Sequence, residues 1–365
     1  MSYRLATIPG DGIGPEVTRE AMKCLDVALG RVGLKVDRHE YGLGKDHYLR
    51  TGEPISEGIL EELRGFDAIF LGAVGHPDVK PGILEKGLLL RLRFEFDQYI
   101  NLRPVKLYPG VATPLRDKRP EDIDFVVVRE NTECLYTGVG GILKQGTPDE
   151  VAQQTAIYTR KGTERCVRWA FELARSRPEK RLALVDKANV LTYGHGLWRR
   201  VFEEVGQEYP DVARDAYYVD ACCMLMVEAP EKLDTVVTCN MFGDIITDLG
   251  ASVQGGIGIA ASGNINPEGV SMFEPVHGSA PPFAGKNVVN PLAAILAGAM
   301  MARYMGSADE SPAEALGREK AAKLIETAVE SVLGAGRIPD LSVHSGLGTD
   351  QIGDMIAEAI TEASA

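Results

Sequence analysis

Apolar and polar positions follow two alternating rhythms along the chain. Short runs of apolar and β-branched residues predict strands at 4–9, 34–41 and 67–75. Between these runs, residues 15–29 and a stretch around 59–63 have the spacing of amphipathic helices. From Val17, apolar residues recur at i+4, i+7, i+8 and i+11, which is one face of a helix with 3.6 residues per turn. This succession predicts βαβ units and a largely parallel sheet.

The same rhythm continues through the rest of the chain. Further strands are predicted at 124–130, 181–187 and 234–240, and long helices at 291–305 and 313–333. Each of these strands ends in polar or charged residues. Ligands of open α/β sheets bind at the carboxyl ends of strands, so these ends are the first places to look for a site.

Composition narrows the class of protein. A length of 365 residues suits about two domains. With 39 Lys+Arg against 52 Asp+Glu, the net charge of −13 disfavours nucleic acid or an anionic membrane as the main partner. We expect no signal peptide and no membrane span, and six cysteines without a CxxC pair predict reduced thiols in a cytoplasmic protein.

The stretch IPGDGIGPEV, residues 8–17, follows the first predicted strand. A dinucleotide-binding turn requires G-x-G-x-x-G, but the third glycine position is Pro15 counted from Gly10 and Val17 counted from Gly12. The alternative is a tight strand-to-helix turn in which glycines adopt positive φ. Spacing alone leaves the two readings open.

Three arginines follow apolar segments: Arg93, Arg103 and Arg129. Guanidinium groups bind carboxylates through two parallel hydrogen bonds, and several that converge would suit a di- or tricarboxylic acid. Any one of them alone is more often a surface or ion-pair arginine, as we expect for Arg91.

Acidic and proton-transfer candidates complete the set. Asp244 and Asp248 lie at i and i+4 on one predicted helix face, and with Asp220 they would make an oxygen site for Mg²⁺ or Mn²⁺. A capping aspartate plus a solvated one is the alternative. Lys187 ends a strand and is a candidate base, and Tyr136 is a candidate proton donor, although each is individually compatible with a structural role.

Six segments together carry a family resemblance over nearly the whole chain. They are, in order, GDGIGPEV, NLRPVKLYPG, VVRE, DKANVL, NMFGDIITDLGA and FEPVHGSAP. The chain resembles the β-decarboxylating dehydrogenases, the family of isopropylmalate, isocitrate, homoisocitrate, tartrate and D-malate dehydrogenases. NMFGDIITDLGA followed by FEPVHGSAP is the most specific part of this resemblance.

The resemblance implies an α/β fold that is not a Rossmann fold. It is the isopropylmalate dehydrogenase-like two-domain fold with a central mixed sheet. Residues 1–98 and 255–365 would form the cofactor-binding domain that contains both termini. Residues 99–254 would form an inserted substrate and dimerisation domain. In the implied homodimer, Lys187 and Asp220 reach into the active site of the partner subunit.

The resemblance also implies a metal-dependent oxidative decarboxylation of a small 2-hydroxy dicarboxylic acid. The substrate would be bound by Arg93, Arg103, Arg129 and Asp220. Mg²⁺ or Mn²⁺ would be held by Asp220, Asp244 and Asp248. Lys187 would take the hydroxyl proton while hydride passes to the nicotinamide, and Tyr136 would protonate the enolate left after decarboxylation.

The implied cofactor is NAD. Its site would be lined by Ile13, Asn189, Glu274, His277, Gly278, Ser279, Ala280 and Asn290.

Two positions depart from the family pattern. Pro282 stands where NAD-using members commonly have an aspartate, which keeps NADP open although no phosphate-gripping replacement is present. Cys134 stands where glycine is usual, just before Tyr136, and bears on the geometry of that loop.

Substrate choice within the family depends on what meets the C3 substituent. An apolar contact suited to an isopropyl group is offered by Glu85, Leu88, Leu89, Leu90 and Val190, so we expect 3-isopropylmalate, an acid of leucine biosynthesis. D-malate or tartrate is the strongest alternative, because RFEFDQY and VVVRENTE look closer to that branch. Homoisocitrate and isocitrate come next. A catalytically silent regulatory subunit would lack part of the acid, base or metal set, all of which is present here.

Overall fold

The computed structural model describes residues 2–306 and 310–363. Its strands are β1 (Ser2–Gly10), β2 (Lys35–Glu40), β3 (Ala68–Ala73), β4 (Ile100–Lys106), β5 (Asp124–Glu130), β6 (Gly140–Leu143), β7 (Val151–Gln154), β8 (Arg181–Asp186), β9 (Ala213–Tyr218), β10 (Thr235–Thr238), β11 (Ala261–Ile265) and β12 (Ser271–Pro275). Its α-helices are α1 (Gly14–Arg31), α2 (Lys45–Thr51), α3 (Glu57–Leu63), α4 (Arg91–Glu95), α5 (Arg160–Ser176), α6 (Gly194–Gly206), α7 (Val219–Glu228), α8 (Asn240–Val253), α9 (Leu292–Tyr304), α10 (Pro312–Gly334) and α11 (Thr349–Glu362).

The chain divides into two compact units. The first comprises residues up to 98, 106–120 and those from 251 on, and the second comprises 99–105 and 121–250. These bounds differ from a continuous insertion over 99–254, because the segment after β4 is held in the first unit. The backbone N–H of Lys106 donates to Gln254 Oε1 (2.8 Å), and the Thr113 hydroxyl donates to the Val253 carbonyl (2.7 Å).

In the first unit the strand order is β2-β1-β3-β12-β11. Strands β1, β2, β3 and β12 pair in parallel, whereas β11 and β12 are antiparallel, so this sheet is mixed. All six residues of β3 are buried, as expected for a strand whose two faces are both covered. Helices α1, α9, α10 and α11 pack together, and α9 is buried around nearly its whole circumference.

In the second unit the order is β4-β5-β10-β8-β9, and β5, β10, β8 and β9 run parallel. Helices α5 and α6 pack against each other through stacked Phe171 and Phe202 rings, whose centroids are 5.3 Å apart. Strands β6 and β7 form a separate antiparallel hairpin whose residues are all exposed.

The strands and helices expected from the apolar pattern are present, and the prediction of an α/β fold with a mixed sheet is confirmed. The strand expected over 234–240 is shorter, because helix α8 already begins at Asn240. Within residues 2–306 and 310–363, the helices are all too short or too polar to cross a bilayer.

Candidate active site

The glycine-rich turn after β1 holds two loops by close backbone contact. A Cβ atom on Gly10 would lie 1.9 Å from the Ala73 carbonyl oxygen, and one on Gly12 would lie 1.9 Å from the Ser279 carbonyl oxygen. Both glycines have positive φ, +74° and +60°. The backbone N–H of Ile13 donates to that same Ser279 carbonyl (2.8 Å). The structure therefore favours the tight structural turn over a dinucleotide fingerprint.

Two buried carboxylates extend this scaffold. Asp11 accepts the backbone N–H of Gly75 (3.0 Å), and the Ser279 hydroxyl donates to the Gly75 carbonyl (2.6 Å). Glu16 accepts backbone N–H groups of the loop 285–287 at 3.1 and 3.2 Å. The loops that follow β3 and β12 are thus both anchored to the first turn of the chain.

A cavity of about 470 Å³ lies between these loops. Among the residues that line it are Gly75, Glu85, Gly278, Ser279 and Ala280. Four of the residues expected at the cofactor and substrate sites therefore share one cavity of the first unit. Its size suits part of a dinucleotide.

Two further cofactor candidates have donor or acceptor atoms that the rest of the described chain does not satisfy. Asn290 is 8% exposed, and its Oδ1 accepts the backbone N–H of Leu292 (2.9 Å), while its Nδ2 has no partner among the described residues. His277 Nε2 likewise has no hydrogen-bond partner among the described residues. Burial lowers the pKa of His277, so its imidazole is neutral. Buried polar atoms without partners indicate a place for a ligand.

The segment before Arg93 forms a π-helix over Glu85–Leu90 that runs directly into α4. Such wide turns are frequent at functional sites. Leu88 is fully buried in the apolar core of the first unit, and Leu89 packs against that core. Glu85 is exposed and Leu90 is half-buried. Of the four residues of this segment expected to face the substrate's C3 substituent, Leu88 is therefore too buried to do so, whereas Glu85, Leu89 and Leu90 keep some exposure.

Arg93 and Glu274 form a buried ion pair in the first unit. Arg93 Nη2 donates to Glu274 Oε1 at 2.9 Å, and Asn264 Nδ2 donates to the same oxygen at 2.9 Å. Arg93 Nε has no partner among the described residues. The guanidinium is thus fixed by a protein carboxylate and keeps one free donor. The sequence predicted both residues as ligand contacts but not their pairing.

Arg129, at the end of β5, lies under the start of helix α8 in the second unit. It is 1% exposed, its Nε and Nη2 donate to Asn240 Oδ1 (3.0 and 2.7 Å), and its Nη1 donates to Asp244 Oδ1. Helix and arginine approach closely because residue 243 is glycine, where a Cβ would lie 2.4 Å from Arg129 Cγ. Sequence reasoning missed Asn240, although it lies inside the specific NMFGD segment.

Tyr136 shares the carboxylate of Asp244. Its hydroxyl donates to Asp244 Oδ2 at 2.8 Å, and the Arg129 guanidinium lies 5.2 Å from its ring centroid. Burial raises the pKa of Tyr136 and so does the bond to Asp244, against the opposing charge of Arg129. The hydroxyl therefore keeps its proton at neutral pH. This is the state that a proton donor needs.

Arg103 is the second buried guanidinium of this cluster. It is 8% exposed and is fixed by Asn101 Oδ1 (2.8 Å) and Thr247 Oγ1 (2.9 Å). Its nitrogens lie 3.9 Å from Asp244 Oδ1 and 4.0 Å from Asp248 Oδ1. The side chain of Asp248 is 70% exposed. Asn101 and Thr247 were missed, although a polar residue within a buried pattern is a detectable signal.

Lys187 and Asp220 form a separate pair in the second unit. Lys187 Nζ hydrogen-bonds Asp220 Oδ1, and this bond lowers the pKa of the Asp220 carboxyl. The Asp220 side chain is 65% exposed. Across the described chain there is no group of three His, Cys, Asp or Glu residues arranged to hold a metal. The three aspartates expected to bind one ion are thus not gathered within a single chain.

The loop after Lys187 is exposed and partly apolar. Val190 is 66% exposed and Tyr193 is 95% exposed, and Asn189 belongs to the same loop of the second unit. Buried Asp186 fixes the start of this loop by accepting Ala188 N–H (2.7 Å) and pairing with Arg199 (2.6 Å).

Comparison with known proteins places these residues in context. The model of the isocitrate/isopropylmalate dehydrogenase family matches residues 4–356. A 3-isopropylmalate dehydrogenase of Thermobifida fusca is 54% identical, over 99% of this chain and 98% of its own length. One from Streptomyces griseus is 50% identical, over 98% of each. An isocitrate dehydrogenase structure from Methylococcus capsulatus has a TM-score of 0.85 at 36% identity and covers 99% of this chain and 100% of its own.

Proposed function

The chain belongs to the isocitrate/isopropylmalate dehydrogenase family, and from this we propose that it catalyses the oxidative decarboxylation of 3-isopropylmalate to 2-oxoisocaproate, with reduction of NAD. The named relatives at 54% and 50% identity support the substrate. The observation that carries the proposal is the cluster of Arg103, Arg129, Tyr136 and Asp244 in the second unit. Two fixed guanidiniums there can bind a dicarboxylate beside a protonated phenol.

The acid and base fit the two halves of the reaction. Lys187, held by Asp220, would take the proton of the substrate hydroxyl as hydride leaves C2. Arg103 and Arg129 would hold the carboxylates and orient that carbon. After carbon dioxide leaves, Tyr136 would donate its proton to C3, and its bond to Asp244 fixes the direction of the hydroxyl.

A divalent cation would be held by Asp244 and Asp248, with Asp220 supplied by a second copy of the chain. Carboxylate oxygens are the ligands that Mg²⁺ and Mn²⁺ prefer. When bound, the ion would supply Lewis-acid polarisation of the substrate's C2 oxygen. The pairing of Asp220 with Lys187, apart from the other two aspartates, supports delivery of both residues from a partner subunit.

A homodimer is further supported by the surface of the second unit. The β6–β7 hairpin exposes Ile142, Leu143 and Val151, the residue before it, Val139, is also exposed, and α7 exposes Met224 and Val227. An isolated two-stranded hairpin is only marginally stable in water. Exposed apolar residues of this number fit burial against a second copy.

The cofactor is proposed to lie in the first unit. The unsatisfied Asn290 Nδ2 fits an acceptor nitrogen of adenine, and the cavity beside Gly278 and Ser279 fits the remainder. Pro282 supplies no carboxylate for the ribose hydroxyls, but the sequence also shows no clear replacement to grip a 2′-phosphate. NAD is therefore proposed over NADP.

A steady-state comparison of kcat/KM tests the proposal. The substrates are 3-isopropylmalate, D-malate, tartrate and isocitrate, each with NAD and NADP, in the presence of Mg²⁺ or Mn²⁺. The expected best pair is 3-isopropylmalate with NAD. A tenfold preference for D-malate would assign the chain to that branch of the family. If neither NAD nor NADP were reduced with any of these acids, the proposal that the protein is an enzyme of this class would be wrong.

A further inference from the structure

A series of partly buried hydrogen bonds links the backbone of Lys187 to the loop that precedes Tyr136. The Lys187 N–H donates to His195 Nδ1 at 3.0 Å. His195 Nε2 lies 3.3 Å from the Tyr158 hydroxyl, and that hydroxyl lies 3.3 Å from Cys134 Sγ. All of these residues belong to the second unit.

The direction of each hydrogen bond follows from the first. A backbone N–H can only donate, so His195 Nδ1 is the acceptor and carries no proton. Burial lowers the pKa of His195 to about 4, so the neutral imidazole has its proton on Nε2. Nε2–H therefore donates to the Tyr158 oxygen, and the Tyr158 hydroxyl hydrogen is left to donate to Cys134 Sγ.

Cys134 ends this series of hydrogen bonds because its sulfur accepts hydrogen bonds from several donors. Hydrogen bonds from Cys239, then from Tyr158 and from the backbone N–H of Met241, lower the pKa of Cys134 to about 6. The residue is 1% exposed, and its backbone has φ +66° and ψ −143°. A side chain other than glycine at positive φ is strained and persists only where the surroundings hold it.

A glycine beside Tyr158 leaves space for the ring of this central residue of the hydrogen-bonded series. Helix α6 begins at Gly194, where a Cβ would lie 2.4 Å from the ring of Tyr158. The rings of Tyr158 and His195 meet edge to face, with centroids 5.2 Å apart. Neither residue is one of the proposed acid, base or carboxylate-binding groups.

We propose that Tyr158 and His195 are positioning residues that bind the Lys187 backbone and the Tyr136 loop into one hydrogen-bonded scaffold, with the sulfur of Cys134 as its terminal acceptor. This proposal rests on the proposed function, because it assumes that Lys187 and Tyr136 are the base and the acid. The proposal explains why a strained cysteine occupies the position two residues before the proposed acid. The sulfur of Cys134 accepts the hydrogen bond that the Tyr158 hydroxyl donates.

The first test is Tyr158→Phe, which removes the shared hydroxyl and keeps the ring. A misplaced acid or base slows the chemical step, so we expect kcat for 3-isopropylmalate to fall about tenfold or more while both KM values stay within twofold. Tyr209→Phe is the matched control. Tyr209 also lies in the second unit, where it is buried while Tyr158 is half-buried, and its variant loses one hydroxyl bond, to Glu172 (2.9 Å). Within the described part of the chain, that bond does not reach Lys187 or Tyr136. We expect Tyr209→Phe to have a melting temperature close to that of Tyr158→Phe and a kcat close to that of the wild type.

The second test is a double-mutant cycle with Cys134→Ala, which leaves the backbone strain unchanged. If both side chains act through one scaffold, the double variant has a kcat close to that of the slower single variant. Multiplied losses in the double variant would overturn the proposal, as would a kcat of Tyr158→Phe within twofold of the wild type.

The third test needs no activity. ¹⁵N NMR of the wild-type imidazoles, assigned with His195→Gln, should show His195 protonated on Nε2, and a proton on Nδ1 would overturn the scaffold. If the wild type oxidises none of the candidate acids, the proposed function fails, and this spectrum still decides whether the hydrogen bonds exist.

Discussion

The candidate cofactor region and the candidate catalytic cluster are built by opposite means. In the first unit, loops are held by backbone: glycines pressed against carbonyls, and Asp11 and Glu16 accepting backbone N–H groups. In the second unit, side-chain charges hold one another, as Arg129 holds Asp244. The first region should therefore be sensitive to added bulk, and the second to altered charge or donors.

The largest expected effect is on the catalytic side of this comparison. Lys187→Met keeps the length of the side chain but removes the proposed base, so we expect kcat for 3-isopropylmalate to fall by about 10²–10⁴-fold. Arg91→Ala is the control, since Arg91 pairs at the surface with Glu57. Near-normal turnover of the lysine variant would contradict the role given to Lys187.

Added bulk in the cofactor region comes next. In Gly12→Ala the new Cβ would collide with the Ser279 carbonyl, and positive φ adds about 1 kcal/mol of strain. Gly33→Ala is the control, because Gly33 also has positive φ (+75°) but nothing lies within 4 Å of a Cβ there. We expect a much lower melting temperature and a raised KM for NAD only in the residue 12 variant. Equal melting temperatures of the two variants would mean that the close contact between Gly12 and the Ser279 carbonyl does not contribute to stability.

The smallest expected effect is the pH dependence of stability contributed by His195. Burial lowers its pKa from 6.5 to about 4, so the folded state binds fewer protons than the unfolded state between these values. Its contribution is present above pH 6.5 and is lost as the pH falls towards 4, by about 3 kcal/mol in total. The measurement is denaturant unfolding at pH 7 and pH 5. His195→Gln should flatten that difference, and an unchanged slope would exclude His195 as its source.

The elements were predictable because their signals are local. The spacing of apolar residues after Val17 determines one helix face, and the turn at Asn240 places Asp244 and Asp248 on neighbouring turns of α8. Domain bounds were less predictable, because the segment after β4 is held by bonds to Gln254 and Val253, far away in sequence.

Within the candidate site, the sequence named the residues but not their partners. It identified Arg93, Glu274, Tyr136 and Asp244 separately, each as a contact to a ligand. The structure pairs Arg93 with Glu274 across 181 positions and Tyr136 with Asp244 across 108. It also placed Leu88 in the core, where the sequence pattern had allowed contact with substrate.

The amino-acid sequence by itself thus determined the strands, the helices and the chemical groups, since these depend on interactions within a few residues along the chain. Only the tertiary structure decided which groups meet. Strand order and the close approach allowed by Gly12, Gly194 and Gly243 bring distant segments together, and no local periodicity encodes those distances.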